Sequence, residues 1–185
     1  KVLSGNAPEL DEHETARKGD IYNTVTGVAY KGKEGVKVIP CAYQRRFIQW
    51  AKRGEGSGGP TNIYEPGDTL PNTERDSDKY GDNKDYLTDG SGEYLEETHQ
   101  HFVLLVNDDG VVETALIAMK STQLKKSRKW NSMMMSRSVQ GTNGPFTPPR
   151  WSHIYHMKTI SEGNSKGDWH GWEMSVEGPV TDAGT

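Results

Sequence analysis

VKVIPCAYQRRFIQWAKR, residues 36–53, reads as one long strand carrying aromatic and cationic side chains on both faces, and a glycine-rich break follows it at once. Successive strand residues point to opposite faces, so Tyr43, Arg45 and Phe47 share one side while Arg46, Ile48 and Trp50 share the other. Only one side can face a core. Whichever side is buried, the other offers an arginine beside a large ring, a pairing that suits a polyanion whose bases can stack. The competing reading is a curved, amphipathic barrel strand with a solvated edge. Pro40 cannot donate to a ladder, so it marks an edge or a bulge where the facing changes phase, and the buried face stays open.

Upstream, residues 21–30 (IYNTVTGVAY) are β-rich and lead into the turn signal KGKEG, so they can pair with the strand that follows. Residues 1–19 lack a clean period and read as an extended arm. Downstream, residues 54–97 begin as a Gly-, Pro-, Asp- and Asn-rich tract with few aliphatic residues, a long loop in which Tyr64, Tyr80 and Tyr86 supply local anchors. HQHFVLLV (99–106), the turn NDDG (107–110) and a returning strand over 111–119 make a hairpin. STQLKKSRKWNSMMM (121–135) predicts a helix with Ser121 or Thr122 as N-cap, since no Gly or Pro interrupts it before Gly141. Its Lys125, Lys126, Arg128 and Lys129 crowd the end where the helix dipole favours acids, so helix stability does not explain them. WSHIYHMKTI (151–160) and DWHGWEMSV (168–176) read as two strands joined by a short turn, with Trp172 in the core and Trp169 exposed.

This order of elements is that of a mainly β chain: a five-stranded OB-fold barrel with one α-helix between strands 3 and 4, an N-terminal β extension and a long loop between strands 1 and 2. The expected division is an arm (1–19), one OB-fold domain (20–177, containing the loop 54–97) and a tail (178–185).

A chain of 185 residues is long enough for one full core, and its mean hydropathy of -0.84 with 32% apolar residues points to a large loop content. Cys41 is the single cysteine, which excludes an internal disulfide and fits a reducing compartment. No apolar run reaches membrane length and no signal peptide is visible. The net charge of -4 conceals a strong asymmetry. Residues 31–53 carry seven basic side chains and one acidic, residues 120–137 six basic and none acidic, and residues 61–100 eleven acidic and three basic. Local field rather than net charge attracts a polyanion.

The runs IPCAYQRRFIQW, STQLKKSRKWNSMM and SEGNSKGDWHGWE resemble those of single-stranded DNA-binding proteins encoded by bacteriophages, over residues 20–177. The resemblance implies an OB-fold, sequence-tolerant binding of single-stranded DNA, and a role in replication or recombination in the cytoplasm of an infected host cell. Such proteins often end in an acidic tail that contacts replication or recombination enzymes. The closing EGPVTDAGT (177–185) departs from that pattern. Both monomer and dimer stay open.

The candidate nucleic-acid-binding set is Tyr43, Arg45, Arg46, Phe47, Trp50, Lys52 and Arg53, joined by Lys120, Lys125, Lys126, Arg128, Arg150, Trp151, Tyr155, Lys158, Lys166 and Trp169. Against it stands the simpler expectation that half of these rings are core and that the basic helix is a solvated face. His99 and His101 fall on one strand face, as a metal would require, but His153 and His156 would face opposite sides and no cysteine partner exists. Hydrogen-bonding or solvated histidines are the expectation. The acidic pairs of DSDKYGDNKD (76–85) read as a solvated loop or, in an OB-fold, as a DNA mimic lying on the basic face. No nucleophile elbow, phosphate loop, dinucleotide fingerprint or cysteine-based metal motif occurs, so no enzyme activity and no cofactor is expected. The rival readings are a structural or virion-associated β-barrel interaction module and a metal-dependent nuclease.

Overall fold

A computed structural model describes residues 1–52, 54–56, 58–107, 110–165 and 167–181. In chain order its elements are α1 (Glu9–Glu12), β1 (Ile21–Tyr22), β2 (Ala29–Tyr30), β3 (Val36–Trp50), β4 (Pro60–Tyr64), β5 (Thr73–Glu74) and α2 (Ser77–Tyr80). There follow β6 (Asp85–Leu87), β7 (Tyr94–Val106), β8 (Val112–Lys120), α3 (Leu124–Met135), β9 (Val139–Gly141), β10 (Gly144–Phe146), β11 (His153–Asn164) and β12 (Gly167–Pro179).

The protein is mainly β, with antiparallel sheets built on the pairing of β3 with β7. The β3/β7 register slips between Pro40 and Ala42, so the phase change expected at Pro40 is a β-bulge. Before it, Val36, Val38 and Pro40 face the core; after it, Tyr43, Arg45 and Phe47 continue that side, opposite His101, His99 and Glu97 of β7. One half of the long pair joins β11, β12 and β8 in the order β12-β11-β3-β7-β8. Its other half projects beyond the core and carries β4 on β3, with β6 and then β5 on β7.

The core collects Val38, Val103, Leu105, Met119, Tyr155, Met157, Trp172 and Met174 from these strands around Trp130 of α3. Helix α3 presents Ser127, Trp130 and Met134 to it, a spacing of three and four that makes one face of the helix.

Several expectations are corrected. Among the described residues the sheet does not close: β8 pairs only with β7 and β12 only with β11. The turn into α3 occupies the gap, where the Gln123 Oε1 accepts the Trp172 backbone N–H at 2.9 Å, a donor that a closing strand would need. The N-terminal segment is folded rather than an extended arm. Leu3, Ala7 and Ala16 form a small second core, and the backbone of Leu3 pairs in both directions with Gly19 and Asp20. Strands β1 and β2 pair with each other instead of with β3. Residues 54–97 contain β4, β5, α2, β6 and the start of β7, so the long loop is a folded extension of the sheet. Helix α3 begins after a 3-10 turn at Ser121–Gln123 with no side-chain cap, and Ser121 sits at φ 50 rather than capping.

Candidate functional site

Tyr43 stands where β3 leaves the core, so its ring is only half-buried. It meets His99 edge-on at 5.5 Å and leans over His101 at 5.0 Å. The Arg150 guanidinium lies 5.4 Å from the Tyr43 ring centre and is steered there by a 2.7 Å hydrogen bond to the Asn131 Oδ1 on α3. Two residues along β3, Arg45 covers the Phe47 ring at 4.9 Å and pairs with Glu97 at 2.8 Å. Burial, joined by the Glu97 charge, raises the Tyr43 phenol above its ordinary value against the pull of Arg45, Arg150 and Arg128. Neither Arg128 nor Arg150 has an acidic partner among the described residues.

Beneath this face lies a buried polar chain. His99 Nδ1 is 2.8 Å and His101 Nε2 2.7 Å from the Ser127 hydroxyl of α3, and His99 Nε2 is 2.9 Å from Glu97. Burial alone would raise the Glu97 carboxyl, but His99 and Arg45 hold it below the usual range. With Glu97 ionised, the donors order themselves: His99 Nε2–H donates to Glu97, Ser127 O–H donates to His99 Nδ1, and His101 Nε2–H donates to Ser127. That leaves His101 Nδ1 a bare acceptor without a partner among the described residues, and burial, Arg150 and His99 together push His101 down to about 3. The histidines therefore fix α3 against the sheet and Arg45 beside Phe47.

The opposite face of the same strand carries Arg46 and Trp50, as the alternation predicted, but here the cations are compensated. Arg46 pairs with Glu65 at 2.9 Å and Lys120 with Glu96 at 2.8 Å. Lys120 also covers Trp50 at 5.9 Å, and Lys52 pairs with Glu55 at 2.9 Å. Among the described residues the acidic tract contributes Glu65 and, from β7, Glu96 to these pairs. Its Asp85 and Glu74 bind Arg75 and Lys79 within the tract itself.

The remaining candidates scatter. Lys126 and the Trp169 indole N–H both engage Glu162, at 2.6 and 3.1 Å, so Trp169 is half-buried rather than free. Lys158 pairs with Glu173 at 3.1 Å, and Lys125 is exposed on α3. Trp151 is 59% exposed and follows Arg150 directly. Tyr155 is 1% exposed and packs edge-on against Trp130; it is a core ring and leaves the candidate set. Arg53 and Lys166 lie outside the described residues. Sequence reasoning missed the glutamates of β7, because which glutamate meets which arginine depends on a register that the bulge shifts. Among the described residues, no group of three or more His, Cys, Asp or Glu could hold a metal ion, and no helix is long and apolar enough to cross a membrane.

The fold and this face define a mainly β protein with a cation-flanked aromatic strip on a projecting sheet. The family described as Pam3 phage gp34-like protein matches residues 1–185, and the chain belongs to it: it is a protein of a phage family. No curated protein and no solved structure matches.

Proposed function

We propose that this phage-family protein binds single-stranded DNA with little sequence preference, coating displaced strands during replication or recombination in the cytoplasm of the infected cell. The observation that carries the reading is the Tyr43 face, a partly exposed ring covered by Arg150, which lacks an acidic partner among the described residues, with Arg45 over Phe47 two residues along the strand. Guanidinium groups neutralise phosphates, and a ring stacks on any base, at about 1–3 kcal/mol per base. Phe47, covered by Arg45, extends the strip along β3. The reading needs no bond-making chemistry and is non-enzymatic.

The strand order supports an OB-type interpretation of the sheet. Strands β3, β7 and β8, then α3, then β11 and β12 come in the order an OB reading expects, in a sheet that among the described residues does not close between β8 and β12.

A second reading, a virion-associated interaction module, draws support from the outer face of β7 and β8, where Phe102 is 37% and Leu116 49% exposed. Titration with oligo-dT separates the two. DNA binding predicts quenching of tryptophan fluorescence, greatly weakened by Tyr43→Ala. Self-assembly without quenching favours the interaction module and overturns the first reading.

A further inference from the structure

Away from the Tyr43 face, the N-terminal segment and the turn between β2 and β3 close over β11 and β12 to form a cleft of about 610 Å³. That is the size of a small-molecule site, for which about 300–1,000 Å³ is usual. Its floor is tight backbone. A Cβ on Gly32 would lie 2.0 Å from the Gly19 carbonyl oxygen and 2.3 Å from the Thr159 Oγ1, so only glycine allows the two segments to meet. Asp20 clamps them by accepting the backbone N–H groups of Arg17 and Gly32, each at 3.0 Å, and Lys31 at 3.1 Å.

The walls are cationic. Lys31 is compensated by Asp20 and Lys158 by Glu173. The Arg17 guanidinium is oriented by the carbonyls of Glu14 and Ala16, at 3.0 and 2.8 Å, and not by an acid. Lys18 and Lys33 are exposed and have no acidic partner among the described residues. His170 lines the same cleft, its ring packed against the Gly19 backbone. Against these cations the lining sets one carboxylate not engaged in an ion pair, Glu34. A chain of net charge -4 thus gathers uncompensated positive charge around a preformed recess.

We propose that this cleft binds a phosphate-bearing anion through Arg17, Lys18 and Lys33. The anion is either the phosphate chain of a free nucleotide or a stretch of nucleic-acid backbone. The site goes beyond the DNA-binding reading, because it shares no residue with the Tyr43 strip.

The test is an amide NMR titration of the full chain with pyrophosphate and, separately, with oligo-dT, following Gly19, Gly32 and Gly35. Pyrophosphate is expected to shift these amides, with affinity falling at least about ten-fold in Lys18→Glu/Lys33→Glu and unchanged in Tyr43→Ala. The milder Lys18→Gln/Lys33→Gln pair repeats the test should the glutamates unfold the segment. If oligo-dT shifts the same amides and pyrophosphate competes with it, the anion is nucleic-acid backbone; if only pyrophosphate acts, it is a free phosphate compound. The proposal is overturned if neither probe moves these amides, or if the double variants bind pyrophosphate as the wild type does. Loss of oligo-dT binding at Tyr43 leaves the pyrophosphate result standing, so the two readings fail separately.

Discussion

Acidification should loosen the polar chain that fixes α3 to the sheet, and the size of the effect follows from His101. Its ordinary value is 6.5, and in the fold burial, with Arg150 and His99 nearby, pushes it down to about 3. Below 6.5 the unfolded chain takes up a proton that the folded chain refuses, so the contribution is fully present above 6.5 and is lost as pH falls toward 3. One such proton is worth about 1.4 kcal/mol per pH unit, or about 2 kcal/mol between pH 7 and pH 5. Glu97, also depressed, contributes with the same sign, but only at and below the ordinary carboxylate range. His153, lowered by burial and by Arg137, acts in the same window and must be subtracted. His101→Gln does this, because it keeps an N–H donor for Ser127 and cannot titrate. In urea unfolding at pH 7, 6 and 5, the stability advantage of the wild type over His101→Gln should shrink by about 2 kcal/mol across the series. Parallel pH dependences would show that His101 is as easily protonated in the fold as outside it, and would refute the donor order assigned to the chain.

Arg150→Gln should lower the slope of log affinity for oligo-dT against log salt by about 0.7, the loss of one phosphate contact, as measured by fluorescence titration at several salt concentrations. Glu65→Gln removes the partner of the half-buried Arg46 and should raise affinity for oligo-dT about two- to five-fold if that face also meets the strand; an unchanged affinity would confine binding to the Tyr43 face. Trp130→Ala empties the centre of the core and should cost about 3–5 kcal/mol in urea unfolding, with Tyr155 and His101 losing their ring contacts.

The elements that sequence reading located well are those whose pattern is enforced by one buried face. Strand β3 announces itself by length and composition, and α3 by an uninterrupted stretch carrying Trp130 and Met134 at helical spacing. The hairpin of β11 and β12 alternates, with Tyr155, Met157, Trp172 and Met174 inward. The projecting half of the sheet was illegible for the converse reason. The first residues of β7 put Leu95 and Glu97 on one face and Glu96 and Thr98 on the other, so each face mixes a buried residue with a glutamate and no apolar period marks them as strand. The N-terminal fold is held mostly by backbone hydrogen bonds around Leu3 and two alanines, which leaves no hydrophobic pattern at all. At the candidate site the alternation of Tyr43 and Phe47 against Arg46 and Trp50 could be read in advance. The neutralisation of Arg45, Arg46 and Lys120 could not, because it depends on cross-strand register and on where β4 folds back.

The most direct test is to titrate the intact chain with oligo-dT and with a duplex of equal length at two salt concentrations. Stacking at Tyr43 and neutralisation by Arg128 and Arg150 predict a clear preference for the single strand and a log–log salt slope of about -1.4. Equal affinity for both forms, or binding to neither, would contradict it.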